Sequence, residues 1–189
     1  MRTKNKNMHS NAEMILQTKV WITNVVIGCN FCPFAAKEVK RNTILYEVCL
    51  QENKEEIIQE LLQIFIKMDA DENVETAFLI LPNGLEKFTN YLEIVFAAED
   101  FLAQKKYEGI YQLASFHPEY LFAGAKETDA ENYTNRSPFP MIHILREDSL
   151  TKAIDNHPNV DLIPQNNIDF AKSKGLEWMK RLSSPNPPK

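Results

Sequence analysis

Cys32, His117, Arg136 and His143 are the side chains of this chain best suited to chemistry. Pro33 fits the first position of a helix, which makes Cys32 its N-cap. A thiol there lies at the positive end of the helix dipole, beside unpaired N–H groups, so its pKa is expected to fall. Lys37, one turn on, adds to this. The opposing reading has Cys32 as a small buried hydrophobe between two helices, and it carries about equal weight given how often cysteine is buried. With His117 or His143 as base, Cys32 would be the nucleophile of a thiol-dependent hydrolase or transferase. Arg136 would anchor an anionic substrate through planar, bidentate hydrogen bonds. Asn30, Tyr120, Asn132, Asn135 and Ser137 would bind the substrate, and Asn132, Asn135 and Ser137 could complete an oxyanion hole.

Other chemistries use the same residues. Cys32, His117 and His143, with Glu119 or Glu147, are a ligand set of the right types for zinc or iron. Their spacing matches no known metal signature, so this reading carries about half the weight of the thiol enzyme. A third reading is a non-catalytic module for a small polar or anionic molecule or a protein, with the histidines as satisfied core or cap groups. Arg136 would then tie a loop down through backbone carbonyls. A redox pair of Cys29 and Cys32 ranks last, because such a CxxC should follow a strand and here a helix precedes it. The cofactor is unknown at the level of sequence. His157, before Pro158, reads as surface, and His9 lies in a polar terminus.

Residues 117–140 hold most of these groups and show no clear helical or strand periodicity. Loops longer than about 12–15 residues in a compact domain are uncommon, and usually functional or disordered. This one carries Tyr120, Phe122, Tyr133 and Phe139, which favour burial, and Pro138 and Pro140, which stiffen its exit. It is expected to be an ordered active-site or binding loop.

The elements that must position it are legible around it. Ser10 with Glu13 forms a capping box for a helix reaching about Ile27, with Leu16, Val20, Trp21 and Ile27 near one stripe and Gly28 as the stop. Residues 43–50 read as a strand, and Cys49 within it as packing. Asn53 with Glu56 opens a helix carrying Ile57, Leu61, Ile64, Phe65 and Met68 at helical spacing. Residues 75–81 form a near-continuous apolar run, expected of a central strand. A third helix spans about 85–105, with Phe88, Leu92, Val95, Phe96 and Leu102 inward. Strands at 110–116 and 141–145 flank the long loop, the latter with Met141, His143 and Leu145 on one face. A short helix capped by Asp148 or Ser149 follows, and Pro164 leads a last one to about Leu182. Strands separated by helices imply a layered α/β (or α+β) domain over residues 10–182, with a four-stranded sheet flanked by helices. A ferredoxin-like mixed sheet is as compatible as a small doubly wound one. Residues 1–9 and 183–189 are expected to be disordered.

The bulk numbers bound the function. A net charge of -5 argues against nucleic acid as the main partner. No apolar run approaches the ~18 residues of a membrane span, and the basic N-terminus lacks the apolar core of a secretory signal. Three cysteines fit a reducing cytoplasm better than a disulfide scaffold. The five glycines form no phosphate-binding loop. Oligomeric state is not legible.

Several runs carry a resemblance. Val26-Ile27-Gly28, Asn30 and Cys32-Pro33-Phe34-Ala35 come first. Ala114-Ser115-Phe116-His117-Pro118, Tyr120 and Phe122-Ala123-Gly124 follow, then Asn132 to Pro138, Pro140-Met141, His143 and Leu145-Arg146-Glu147. Together they resemble a bacterial family known only as a domain of unknown function, over roughly residues 18–167. The family implies no activity. The position of Cys29 is usually apolar in its pattern, which implies that the CxxC spacing here is accidental.

Overall fold

The Ser10 hydroxyl accepts the Glu13 N–H at 3.2 Å and the Glu13 carboxylate accepts the Ser10 N–H at 2.7 Å. This closes the expected capping box and opens helix α1 (Asn11–Trp21). The computed structural model describes residues 10–183. The expected disorder at 1–9 and in the tail falls outside them, apart from Ser183.

Helix α1 runs into a π-helical segment (Ile22–Ile27), which the sequence pattern does not distinguish from α-helix. Helix α2 (Ala35–Arg41) precedes strand β1 (Ile44–Val48). Then come α3 (Lys54–Ala70), β2 (Thr76–Ile80), α4 (Phe88–Gln104) and β3 (Tyr111–Phe116). A short 3₁₀ turn (Ala130–Thr134) interrupts the long loop before β4 (Met141–Arg146). Helices α5 (Glu147–Asp155), α6 (Ile163–Lys174) and α7 (Leu176–Leu182) complete the chain. The expected single last helix is split into α6 and α7 at Gly175, which takes a positive φ of 78°.

The sheet has the order β1-β2-β4-β3. β1 and β2 are parallel, while β4 is antiparallel to both β2 and β3, so β1, β2 and β3 run the same way. The helices α3 and α4, which connect these parallel strands, both pack on one face, in a core with Ala77, Leu79, Tyr111, Ile142 and Ile144. The sheet therefore differs from a ferredoxin-like βαββαβ plan and from a doubly wound fold with crossover helices on both faces. The other face carries α1, the π segment, the 3₁₀ turn, α6 and α7, around Trp21, Phe78, Ile80, Met141 and Met179. β2 has helices over both faces and all five residues buried, as its apolar run implies.

Three expected inward positions face solvent: Leu16 is 60% exposed, Val20 39% and Phe96 60%. The inward stripe of α1 is Met14, Thr18 and Trp21, and that of α4 is Tyr91, Ile94, Val95, Ala98 and Leu102. Spacings of three and four place these residues on one side and leave Leu16, Val20 and Phe96 off it.

Where the π segment ends, the hydrogen-bond ladder changes step. Gly28 N–H goes to Thr23 O at 3.0 Å and Cys29 N–H to Val25 O at 3.0 Å, passing over Asn24 O. A Cβ on Gly28 would lie 2.3 Å from that carbonyl oxygen. Glycine is needed here for close approach, since its φ of -61° suits any residue. In an ordinary helix interior Gly→Ala gains about 1 kcal/mol. Gly28→Ala is expected instead to lose about 1–3 kcal/mol through overpacking. Urea unfolding checks this, and a gain in stability would contradict it.

Candidate functional site

The loop over 117–140 is ordered by the side chains that suggested a pocket. His117 is fully buried, packed against Phe88 and Tyr91 of α4. Glu119 N–H donates to its Nδ1 at 2.9 Å, so the ring proton is on Nε2, which donates to Leu85 O at 2.8 Å. Both nitrogens are occupied, and burial holds the pKa below its usual value. His117 is a neutral pin between two loops.

The other candidates in this loop do similar work. Asn132 is buried, accepting Phe122 N–H at 3.1 Å and donating to Lys126 O at 2.7 Å. Asn135 donates to Ser115 O at 3.4 Å, and Ser137 to Phe139 O at 2.6 Å. Arg136 donates from Nε to Tyr120 O and from Nη2 to Glu127 O, both at 3.2 Å, and its guanidinium lies 4.3 Å from the centre of the Tyr133 ring. The Trp21 indole N–H holds Arg136 O at 2.9 Å, which ties the loop to α1. Tyr120 packs its ring between Phe88 and Phe122. Asn30 is exposed, outside this loop, and its left-handed backbone (φ 56°) suits asparagine.

Cys32 is half-buried. Helix α2 begins later than expected, at Ala35, after a turn through Pro33 and Phe34. The thiol sulfur accepts the N–H groups of Phe34 and Ala35, which favour the thiolate, but burial outweighs them and the pKa is raised. The direction is opposite to that expected from a helix N-terminus, because the cost of removing a charge from water exceeds the help of two N–H groups. Cys29 is buried with its thiol pushed up to about 11, chiefly by burial. His157, expected at the surface, is half-buried with its ring 5.6 Å from that of Phe34.

His143 differs from all of these. On the face covered by α1, Tyr46, Phe78, His143 and Ala114 form one rung across the four strands. The Phe78 and His143 rings stack at 4.0 Å, only 2° from parallel, and Tyr46 stacks behind Phe78 at 5.9 Å. Thr76 Oγ1 lies 2.5 Å from His143 Nε2 and 2.6 Å from Ile144 O. A carbonyl only accepts, so the hydroxyl proton belongs to Ile144 O and His143 donates from Nε2. That leaves Nδ1 unprotonated. It has no hydrogen-bond partner among the described residues, yet it is not one of the sealed, unpaired buried atoms. Burial pushes the His143 pKa down to about 3.

The structure does not bring the expected constellation together. His117 packs with α4 on one face of the sheet, and His143 lies on the other. Among the described residues no three His, Cys, Asp or Glu side chains form a group able to hold a metal ion. The ligand set of Cys32, His117 and His143, with Glu119 or Glu147, is thus not assembled. Thr76, which sequence alone did not single out, fixes the tautomer of His143. The signal was available only as a β-branched hydroxyl at the start of a buried strand, a common and uninformative feature.

Fold and site together define a layered α/β protein with an ordered loop at one end of a mixed sheet and a part-buried histidine on one face. The chain belongs to the family described as protein of unknown function (DUF1415), whose model matches residues 13–181. No curated protein and no solved structure matches it. None of the described helices is long and apolar enough to cross a membrane.

Two measurements follow from the geometry. Iodoacetamide at pH 7 should modify Cys32 several-fold more slowly than a free cysteine thiol, with the rate rising above pH 9, as read by mass spectrometry. A rate above that of free thiol would show an activated nucleophile. For His143, the unfolded imidazole titrates near 6.5 and the folded one near 3. Between these values the unfolded state binds the extra proton, so stability falls as pH drops, by up to about 1.4 kcal/mol per pH unit. His117 acts in the same direction. The urea midpoint should be lower at pH 5 than at pH 7, and His143→Gln should flatten the difference. An unchanged slope would contradict the assignment.

Proposed function

We propose that this protein is a small-molecule-binding module whose ligand donates an N–H or O–H to His143 Nδ1. The observation that carries this reading is the fixed tautomer: Thr76 Oγ1 accepts the Nε2–H, which leaves a lone pair on Nδ1 that no described residue takes up, in a part-buried ring. With a pKa near 3 the ring stays neutral throughout the physiological range, so it is a permanent acceptor and a weak general base. His117 has both nitrogens engaged and Cys32 has a raised pKa. These features favour binding over the thiol-dependent hydrolase or transferase. Arg136 holds loop carbonyls, so the ligand is better described as polar than as anionic. The three free thiols support a cytoplasmic setting.

Protein carrying ¹⁵N-labelled histidine, titrated with benzamide, uracil and adenine, tests this. At least one of these N–H donors should shift the Nδ1 resonance of His143 saturably, and His143→Gln should weaken that binding at least tenfold. If no probe moves Nδ1, or if the variant binds as well as the native protein, the reading fails.

A further inference from the structure

Resting on that reading, we propose that the ligand of the His143 site is a planar, uncharged heteroaromatic ring carrying an N–H, which stacks over Ala114 as the fourth ring of the Tyr46–Phe78–His143 row. The rung has four positions, one per strand. Three hold rings, and the fourth, on the edge strand β3, holds only a methyl group.

Side chains on one rung stand beside one another about 4.5–5.5 Å apart at Cβ. One face of the His143 ring lies against Phe78 at 4.0 Å. Its other face is toward β3, where the directly paired residue is Ala114. A ring placed there meets the second face of His143 at stacking distance and continues a column that Tyr46 and Phe78 already form.

The neighbouring rungs bound this position. On one side Gln112 pairs with Leu145, and on the other Phe116 pairs with Met141. Phe116 is 6.2 Å from His143 between ring centroids and is backed by Trp21 at 5.2 Å. Gln112 is exposed, and Ala114, His143 and Leu145 are part-buried, beside the buried Thr76, Phe78, Ile80 and Met141 of the same sheet face. Leu145 joins neither of the two core clusters. The shelf thus offers two apolar or aromatic walls, an amide at its open side and one unprotonated nitrogen.

Charge selects the class of ring. Arg136 and Arg146 both direct guanidinium N–H groups to backbone carbonyls. Lys19 lies over Tyr46, at the far end of the row from Ala114. With a net charge of -5 on the chain, a neutral base-like heterocycle fits the shelf better than a phosphorylated one.

Titration of the native protein with adenine and with 2-pyrrolidinone, a lactam that offers an N–H without an aromatic ring, separates the two proposals. Adenine should bind at least tenfold more tightly, and should shift the Ala114 methyl resonance upfield through its ring current. Ala114→Phe, which places a ring of the protein's own in the fourth position, should weaken adenine at least tenfold. The upfield shift of the Ala114 methyl is read in the native protein and so does not depend on this variant folding. Pyrrolidinone binding as tightly as adenine, or adenine moving Nδ1 without moving the Ala114 methyl, would overturn the stacked ring while leaving the His143 reading intact. Silence from adenine would overturn the stacked ring, and silence from benzamide, uracil and pyrrolidinone as well would overturn the His143 reading with it.

Discussion

A backbone amide taken out of water must be given a partner, and in this protein that requirement falls hardest on the loop over 117–140. It has almost no regular structure to pair its peptide groups. The polar side chains do so instead: His117, Asn132, Asn135, Arg136 and Ser137 all bond to main-chain groups. Removing the buried His117 or Asn132 leaves a main-chain group unpaired, at a cost of about 1–3 kcal/mol. The ordered loop then supports the 3₁₀ turn against which α6 and α7 lie, with Lys172 reaching Glu131 at 3.1 Å.

The same requirement is met at the end of the sheet by a tyrosine. Phe116 N–H donates to the Tyr91 hydroxyl at 3.1 Å, and that hydroxyl donates to Met141 O at 2.7 Å. Phe116 and Met141 face each other across β3 and β4. The hydroxyl thus bridges the last pair of the ladder where the long loop begins and ends. At the opposite end Arg146 donates to the carbonyls of Met68, Asp71 and Val74, closing the C-terminal turn of α3. Its neighbour Tyr111 donates to Asp69, which also takes the Tyr107 hydroxyl, each at 2.6 Å. β4 is therefore clamped at both ends, and His143 sits midway between the clamps.

That placement explains the character of the site. A ring stacked on Phe78 through one face, with one nitrogen fixed by a threonine, would lose little freedom on taking up a ligand. It also cannot be protonated near neutral pH, because the charge would be poorly solvated. Histidine in this setting is a rigid acceptor with an aromatic face. The usual acid–base role of the residue is suppressed by its surroundings.

The sequence by itself determined the order of helices and strands, the capping box at Ser10, the buried character of β2 and the presence of an ordered loop over 117–140. All of these depend on local propensity or on the period of apolar residues, which a chain displays without folding. It also marked nearly every residue that matters in that loop, and marked His143. It did not separate the pins from the site. His117 and His143 look alike as letters, and only the tertiary structure puts them on opposite faces of the sheet, one with both nitrogens engaged and one with a nitrogen free. The strand order, the π segment and the pairing of His143 with Thr76, Phe78 and Ala114 are likewise tertiary decisions. Each is a contact between residues distant in the chain, and a histidine's chemistry is set by which partners reach its two nitrogens, a property of three-dimensional neighbours that spacing along the chain does not encode.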